Sequence, residues 1–204
     1  MKAAKVPTVE APPLKRPTVA PVDPEMRALL LGAIPALRAF AFSLTRDLDR
    51  SDDLVQDTLV RAWIKADSFT PGTNLYAWLF TILRNLFYSE QRKRRREVED
   101  ADGVMAGRLA ALPDQEARVE LSAFQAALST LPANQREALV LVGAQNFTYE
   151  EAAEICGVAV GTIKSRVSRA RGRLIELLGM TGPDDIGSDG ATLAAMTLAA
   201  TGHS

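Results

Sequence analysis

The sequence is poor in the side chains that most enzyme mechanisms and metal sites require. It has one cysteine in 204 residues, Cys156, which excludes an intramolecular disulfide and any multi-cysteine metal site. Placed where two helices are expected to meet, that cysteine reads as a small buried apolar residue. The one histidine, His203, is the penultimate residue, so a histidine ligand or general base inside the fold is not available. No glycine-rich phosphate loop is present either. No apolar run approaches the about eighteen residues of a membrane span, and the N-terminus lacks the apolar stretch of a signal peptide, which points to the cytoplasm. No cofactor, no metal and no small-molecule substrate are expected.

Net charge is also low. At −1 it would argue against nucleic acid, but the charge is segregated along the chain. Arg84 to Arg96 carries six basic residues against Glu90, and Lys164 to Arg173 carries five with no acid. Between them, Glu97 to Glu120 holds seven acids against Arg108 and Arg118. Two basic patches are therefore separated by an acidic connection, which could fold back on one of them.

Phe147 to Arg173 has the pattern of a helix-turn-helix. Thr148 and Glu151 form a capping-box pair, and Glu150 adds a second negative charge at the positive end of the helix dipole. Gly157 suits the positive φ of a tight turn between crossing helices. The second helix, about Val160 to Leu178, sends Ile163, Val167, Ala170, Leu174 and Leu177 inward at alternating steps of four and three. Its opposite face carries Gly161, Ser165, Ser168 and Gly172, flanked by Lys164 and Arg171 on one side and Arg166, Arg169 and Arg173 on the other. Small residues let the helix backbone approach a groove while the flanking cations reach phosphates or base edges.

Upstream, residues 1–23 contain five prolines and few large apolar residues, the composition of a disordered leader. From Pro24 an apolar helical pattern is divided by Pro35. Ser51 is expected to cap a helix whose inner face holds Val55, Leu59, Ala62, Trp63 and Ala66, leaving Asp53, Gln56, Asp57 and Val60 outside. A turn-rich loop, Ser68 to Asn74, precedes a helix from Leu75 to about Arg96 with Leu75, Trp78, Leu79, Ile82 and Leu86 as its core stripe. Arg84, Tyr88 and Arg92 form a polar row on it. The run Arg92-Lys93-Arg94-Arg95-Arg96 is placed to meet phosphates, because packing cannot offset five adjacent cations. Residues 97–114 read as a flexible acidic linker and 180–204 as a flexible tail. In the second domain, 115–179, a helix with Leu121, Phe124, Leu128 and Leu131 ends at Pro132, and Leu139 and Val142 mark another. Asp52, Asp53 and Asp57 on one helix can bind Mg²⁺, but no second acidic motif accompanies them, so an enzyme is not the favoured reading.

These pieces together resemble the extracytoplasmic-function sigma factors of bacterial RNA polymerase. DDLVQDTLVRAW resembles the core-polymerase-binding helix of sigma region 2, SFTPGTNLYAWLFTILRNLFYSEQRKRRR the promoter-melting part, and LPANQREALVLV with YEEAAEICGVAVGTIKSRVSRAR region 4. The region 4 wording is most similar to the alphaproteobacterial general-stress-response group, EcfG. The resemblance implies an all-α chain of two small helical domains, region 2 at 24–96 and region 4 at 115–179. It also implies a binding role with no covalent chemistry.

By residue, the resemblance implies that Asp53, Gln56, Asp57 and Arg61 contact the β′ coiled coil of core polymerase, with the β flap as the second contact. Thr70, Thr73 and Asn74 would receive an unstacked base of the −10 element, and Arg84, Tyr88, Arg92, Lys93, Arg94 and Arg95 would lie along that strand. Lys164, Ser165, Arg166, Arg169 and Arg171 would read the −35 element. An anti-sigma factor resembling NepR is the implied regulator. The alternative is a sigma-like decoy that only binds such an anti-sigma factor and needs no DNA contacts.

Overall fold

The computed structural model of the chain describes residues 24–99 and 117–179. The leader, the linker beyond Glu99 and the tail from residue 180 lie outside the described residues. Within them, eight α-helices and one short 3-10 turn account for the regular structure, with no strand.

The first half contains four of the helices. Helix α1 (Pro24–Gly32) meets α2 (Ile34–Thr45) at a bend of 43°. Pro35 lies in the first turn of α2, where a missing N–H disturbs no helical hydrogen bond, so the helix restarts there as its sequence requires. Arg46 ends α2 in a left-handed conformation (φ 59°), and Asp47 caps α3 (Leu48–Ile64) at once, accepting from the Arg50 N–H at 2.9 Å. The cap is thus Asp47, four residues before the Ser51 expected from the pattern. Ser51 is buried in the first turn and donates to the Asp47 carbonyl. Helix α3 is tied to α2 by a two-bond ion pair from Arg38 to Asp52, at 2.7 and 2.9 Å. Helix α4 (Leu75–Glu99) starts where the Asn74 side chain accepts from the Ala77 N–H, and it runs past Arg96.

In the second half, α5 (Ala117–Thr130) stops before Pro132, which opens α6 (Ala133–Gly143). Asn146 takes the left-handed region (φ 54°), which asparagine tolerates better than most residues. Helix α7 (Tyr149–Cys156) and α8 (Val160–Leu178) follow. Ile163, Val167, Ala170 and Leu174 of α8 are buried, as their spacing predicts. Leu177, expected in the same stripe, is 40% exposed because the last turn of α8 extends past the core, and Leu178 packs there instead.

The two halves are packed against each other through one continuous apolar core. Phe80 of α4 stacks on Phe40 of α2 at 4.8 Å and receives the edge of Phe147 from the second half at 5.0 Å. Such offset and edge-on ring pairs add to the area they bury. Phe80, Leu83 and Phe87 are buried on the side of α4 that carries Arg84, in addition to Leu75, Leu79 and Leu86 of the expected stripe. Trp78 and Ile82 are half-buried, with Trp78 against Phe69 at 5.3 Å. Helix α4 is therefore sandwiched between the first half and α7 of the second.

Arg136 of α6 anchors the same junction from the other side. It is 5% exposed, and its guanidinium donates to the carbonyls of Ser43, Ser129 and Leu131. These lie at the C-terminal ends of α2 and α5, where the helix dipoles favour a cation. Burial, with the nearby charge of Arg46, lowers its pKa to about 10, which leaves it charged near neutral pH.

Truncating the central ring, Phe80→Ala, is expected to destabilise the chain by about 3–5 kcal/mol in denaturant unfolding, since a core cavity opens between both halves. Thr148→Ala, which removes the cap of α7, is expected to cost about 1 kcal/mol in the same measurement.

Candidate nucleic-acid interface

The helix-turn-helix forms from local signals. The Thr148 side chain accepts from the Glu151 N–H at 3.1 Å, and the Glu151 carboxylate accepts from the Thr148 N–H at 2.9 Å, completing the capping box. That hydrogen bond, with a second from Asn74, holds the Glu151 carboxyl below its ordinary pKa. Gly157 sits at φ 63° and ends α7, with the Val158 N–H returning to the Ala153 carbonyl at 3.0 Å. This left-handed turn sets α8 across α7.

On α8 the small-residue face is open. A side-chain carbon placed at Gly161 or Gly172 would meet nothing within 4 Å. Lys164 and Arg169 are exposed, while Ser165, Arg166 and Arg171 are half-buried at the flanks. Arg169 donates to the Ser165 hydroxyl at 3.2 Å, and the Lys164 ammonium lies 5.8 Å from the Tyr149 ring. Such contacts hold long side chains near the open face without burying their charge. All five residues expected to read the −35 element thus share one helix and border one exposed strip.

A second surface joins α3 and α4. Asp53, Gln56, Asp57 and Arg61 are exposed on α3, as expected, in line with Val60 and Ile64, which are 51% and 69% exposed. Asp52 turns away from them to Arg38. Asp53, Gln56 and Asp57 line an open groove of about 480 Å³ together with Lys93 and Arg94. Residues assigned from the sequence to polymerase and to DNA therefore meet in one cleft.

The residues expected at the −10 element are split. Arg92, Lys93, Arg94 and Arg95 are exposed at the end of α4, and Thr70 and Thr73 are exposed in the loop, where the Thr73 hydroxyl donates to the Thr70 carbonyl at 2.7 Å. Arg84, Tyr88 and Asn74 instead face the second half. Arg84 donates to one oxygen of Glu137 at 2.6 Å, the Tyr88 hydroxyl donates to the other at 3.2 Å, and the Arg84 guanidinium lies 4.7 Å over the Tyr88 ring. Asn74 donates to Glu151 at 2.7 Å.

The Glu137 side chain has no exposure and that of Arg84 19%. Burial opposes the Arg84 charge, but the charge of Glu137 and the hydrogen bond to it prevail and raise the Arg84 pKa. Burial and the Glu137 charge push the Tyr88 phenol up to about 12. The same two causes raise Cys156 to about 12, the behaviour of an inert buried thiol.

Arg136 and Glu137 were not singled out by sequence reasoning. Their signal was available: in LPANQREALVLV they stand one turn before Val140 and Leu141, so two charges occupy the inward face of an apolar helix.

Comparison with known proteins agrees with the two-part reading. Residues 32–97 match Sigma-70 region 2, and residues 121–174 match Sigma-70, region 4. The chain is 60% identical over 169 residues to the ECF RNA polymerase sigma factor EcfG of Rhodopseudomonas palustris, covering 83% of this chain and 93% of that protein. It is 34% identical over 137 residues to the ECF RNA polymerase sigma factor SigM of Bacillus subtilis, covering 66% and 83%. Among solved structures, the sigma factor RpoE in complex with the anti-sigma factor NepR from Bartonella quintana matches with a TM-score of 0.72 and 57% identity, over 78% of this chain and 99% of that one. CnrH in complex with the cytosolic domain of CnrY matches with a TM-score of 0.53 and 30% identity, over 78% and 88%. With both sigma regions present in order and this identity over nearly the full length of a relative, the chain belongs to the extracytoplasmic-function RNA polymerase sigma factors.

Proposed function

We propose that this sigma factor directs core RNA polymerase to promoters of general-stress-response genes and that a small anti-sigma factor of the NepR kind holds it inactive. The observation that carries the promoter role is α8: an open face of small residues, edged by Lys164, Arg166, Arg169 and Arg171, on a capped helix-turn-helix. A helix of this shape fits the major groove, where arginine reads guanine and lysine or arginine neutralises phosphate. The stress-response and anti-sigma parts rest on the 60% identity to EcfG and on the likeness to RpoE bound to NepR.

For polymerase, the reading uses Asp53, Gln56, Asp57 and Arg61 toward the β′ coiled coil. The exposed Val60 and Ile64 on the same side of α3 add an apolar centre to that polar rim, the usual composition of a protein interface. Region 4 would meet the β flap. Arg92 to Arg95 would follow the phosphates of the −10 strand, with Thr70, Thr73 and Asn74 around an unstacked base. Unstacking costs a few kcal/mol, which contacts from the cations and the loop would offset.

Run-off transcription with purified core polymerase on a stress-type promoter is expected to depend on this protein and to be abolished by a candidate NepR. Binding to NepR with no transcription would make the chain a decoy. Arg169→Ala is expected to weaken promoter-directed transcription by about 1–3 kcal/mol, roughly fivefold to 150-fold, with polymerase affinity unchanged. Equal loss of both would contradict the role given to α8.

A further inference from the structure

The basic run at the end of α4 is continuous in sequence but not around the helix. An α-helix turns about 100° per residue, so residues three and four apart share a face. Arg92 and Arg95 stand four and seven residues after Tyr88 and continue its side of α4, the side on which Arg84 and Tyr88 reach Glu137. Lys93 and Arg94 stand three and four residues after Glu90 and share its side, and all three line the groove against α3. The two pairs of cations are roughly 180° apart about the axis. A strand laid along Arg92 and Arg95 therefore runs on the far side of α4 from Lys93 and Arg94.

The groove has its own charge balance. Arg50, Lys93 and Arg94 bring cations to it, and Asp53, Asp57 and Glu90 bring carboxylates in equal number. A phosphate that entered to pair with Lys93 or Arg94 would come up against these acids, and charges that share one cleft act on a ligand together. A protein helix carrying both signs meets no such opposition, since its acids can face the groove cations while its bases face Asp53 and Asp57. On α3, Asp53, Asp57, Val60 and Ile64 follow one another at steps of four, three and four, so the groove opens onto the exposed apolar strip. Charged groups of both signs beside exposed apolar side chains suit a protein partner better than a nucleic acid.

We propose that Lys93 and Arg94 belong to the polymerase-binding surface, where with Asp53 and Asp57 they hold a polymerase helix that carries both signs of charge, while Arg92 and Arg95 follow the −10 strand. The proposal rests on the polymerase reading of α3 given above, and it divides a run that was assigned whole to DNA. Helix α4 then has two binding edges, one for each partner. Because both edges belong to one helix, docking along Lys93 and Arg94 sets where Arg92 and Arg95 stand against the enzyme. The strand is thereby held about one helix diameter, about 10 Å, from the polymerase surface.

Two double variants that lose the same charge test the division: Lys93→Ala with Arg94→Ala, and Arg92→Ala with Arg95→Ala. All four side chains are exposed near the end of α4, so neither change opens a core cavity. Each variant is measured for affinity to core polymerase without DNA. With polymerase saturating, each is then measured for the salt dependence of binding to a fork promoter whose −10 element is single-stranded. Loss of the cations at 93 and 94 is expected to weaken polymerase binding about tenfold and to leave the slope of log affinity against log salt unchanged. Loss at 92 and 95 should leave polymerase binding unchanged and flatten that slope by about 0.7 for each phosphate contact removed. The exchange Lys93→Arg with Arg94→Lys keeps both charges in the groove and should retain most of the polymerase affinity.

Unchanged polymerase affinity after loss at 93 and 94, or an equal fall in both variants, would overturn the division. Asp53→Ala with Asp57→Ala separates that result from the reading beneath it. If this variant binds polymerase as the wild type does, the assignment of α3 itself fails. A loss there with none at 93 and 94 removes only the role given to Lys93 and Arg94.

Discussion

The junction between the domains depends on two neighbouring charges of α6. Arg136 and Glu137 are both almost without solvent, and a buried charge is tolerable only when its surroundings replace the water it has lost. Arg136 does this with carbonyls at the ends of α2 and α5, and Glu137 with Arg84 and Tyr88 on α4. Because these charges point at different helices of region 2, satisfying both fixes the position of region 4. The aromatic group Phe40, Phe80 and Phe147 then fills the space between. Apolar packing supplies the attraction, which has no direction, and the two charges supply the register.

This division of labour selects one arrangement of the two halves. An interface made only of apolar surface would stay shut, or would close in several ways. One that also carries a few buried polar contacts closes in one register. Helix α8 keeps its cationic face outside these contacts.

Much of the structure was legible in the sequence because its causes lie within a few residues of their effects. The capping box of Thr148 and Glu151, the left-handed Gly157, the restart of the chain at Pro35 and the buried stripe of α8 all follow from patterns among neighbouring residues of the chain. The cap of α3 was misplaced for the same local reason. Asp47 and Ser51 are both good capping residues, and only the left-handed turn at Arg46 shows that the helix has already begun. Leu177 fits the period of α8 but lies beyond the core that would bury it.

The sequence by itself determined the helices, the family, the polarity of α3 and the open cationic face of α8, since periodicity, caps and charge runs are properties of neighbouring residues. Tertiary structure alone decided what Arg84, Tyr88 and Asn74 face. Arg84 and Glu137 are 53 positions apart and Asn74 and Glu151 are 77 apart, and neither pair leaves a mark in its own neighbourhood. On an isolated α4, Arg84 and Tyr88 are a polar row free to lie along DNA. Once Phe80, Leu83 and Phe87 are buried beside them, the same row becomes the place where the two domains are joined.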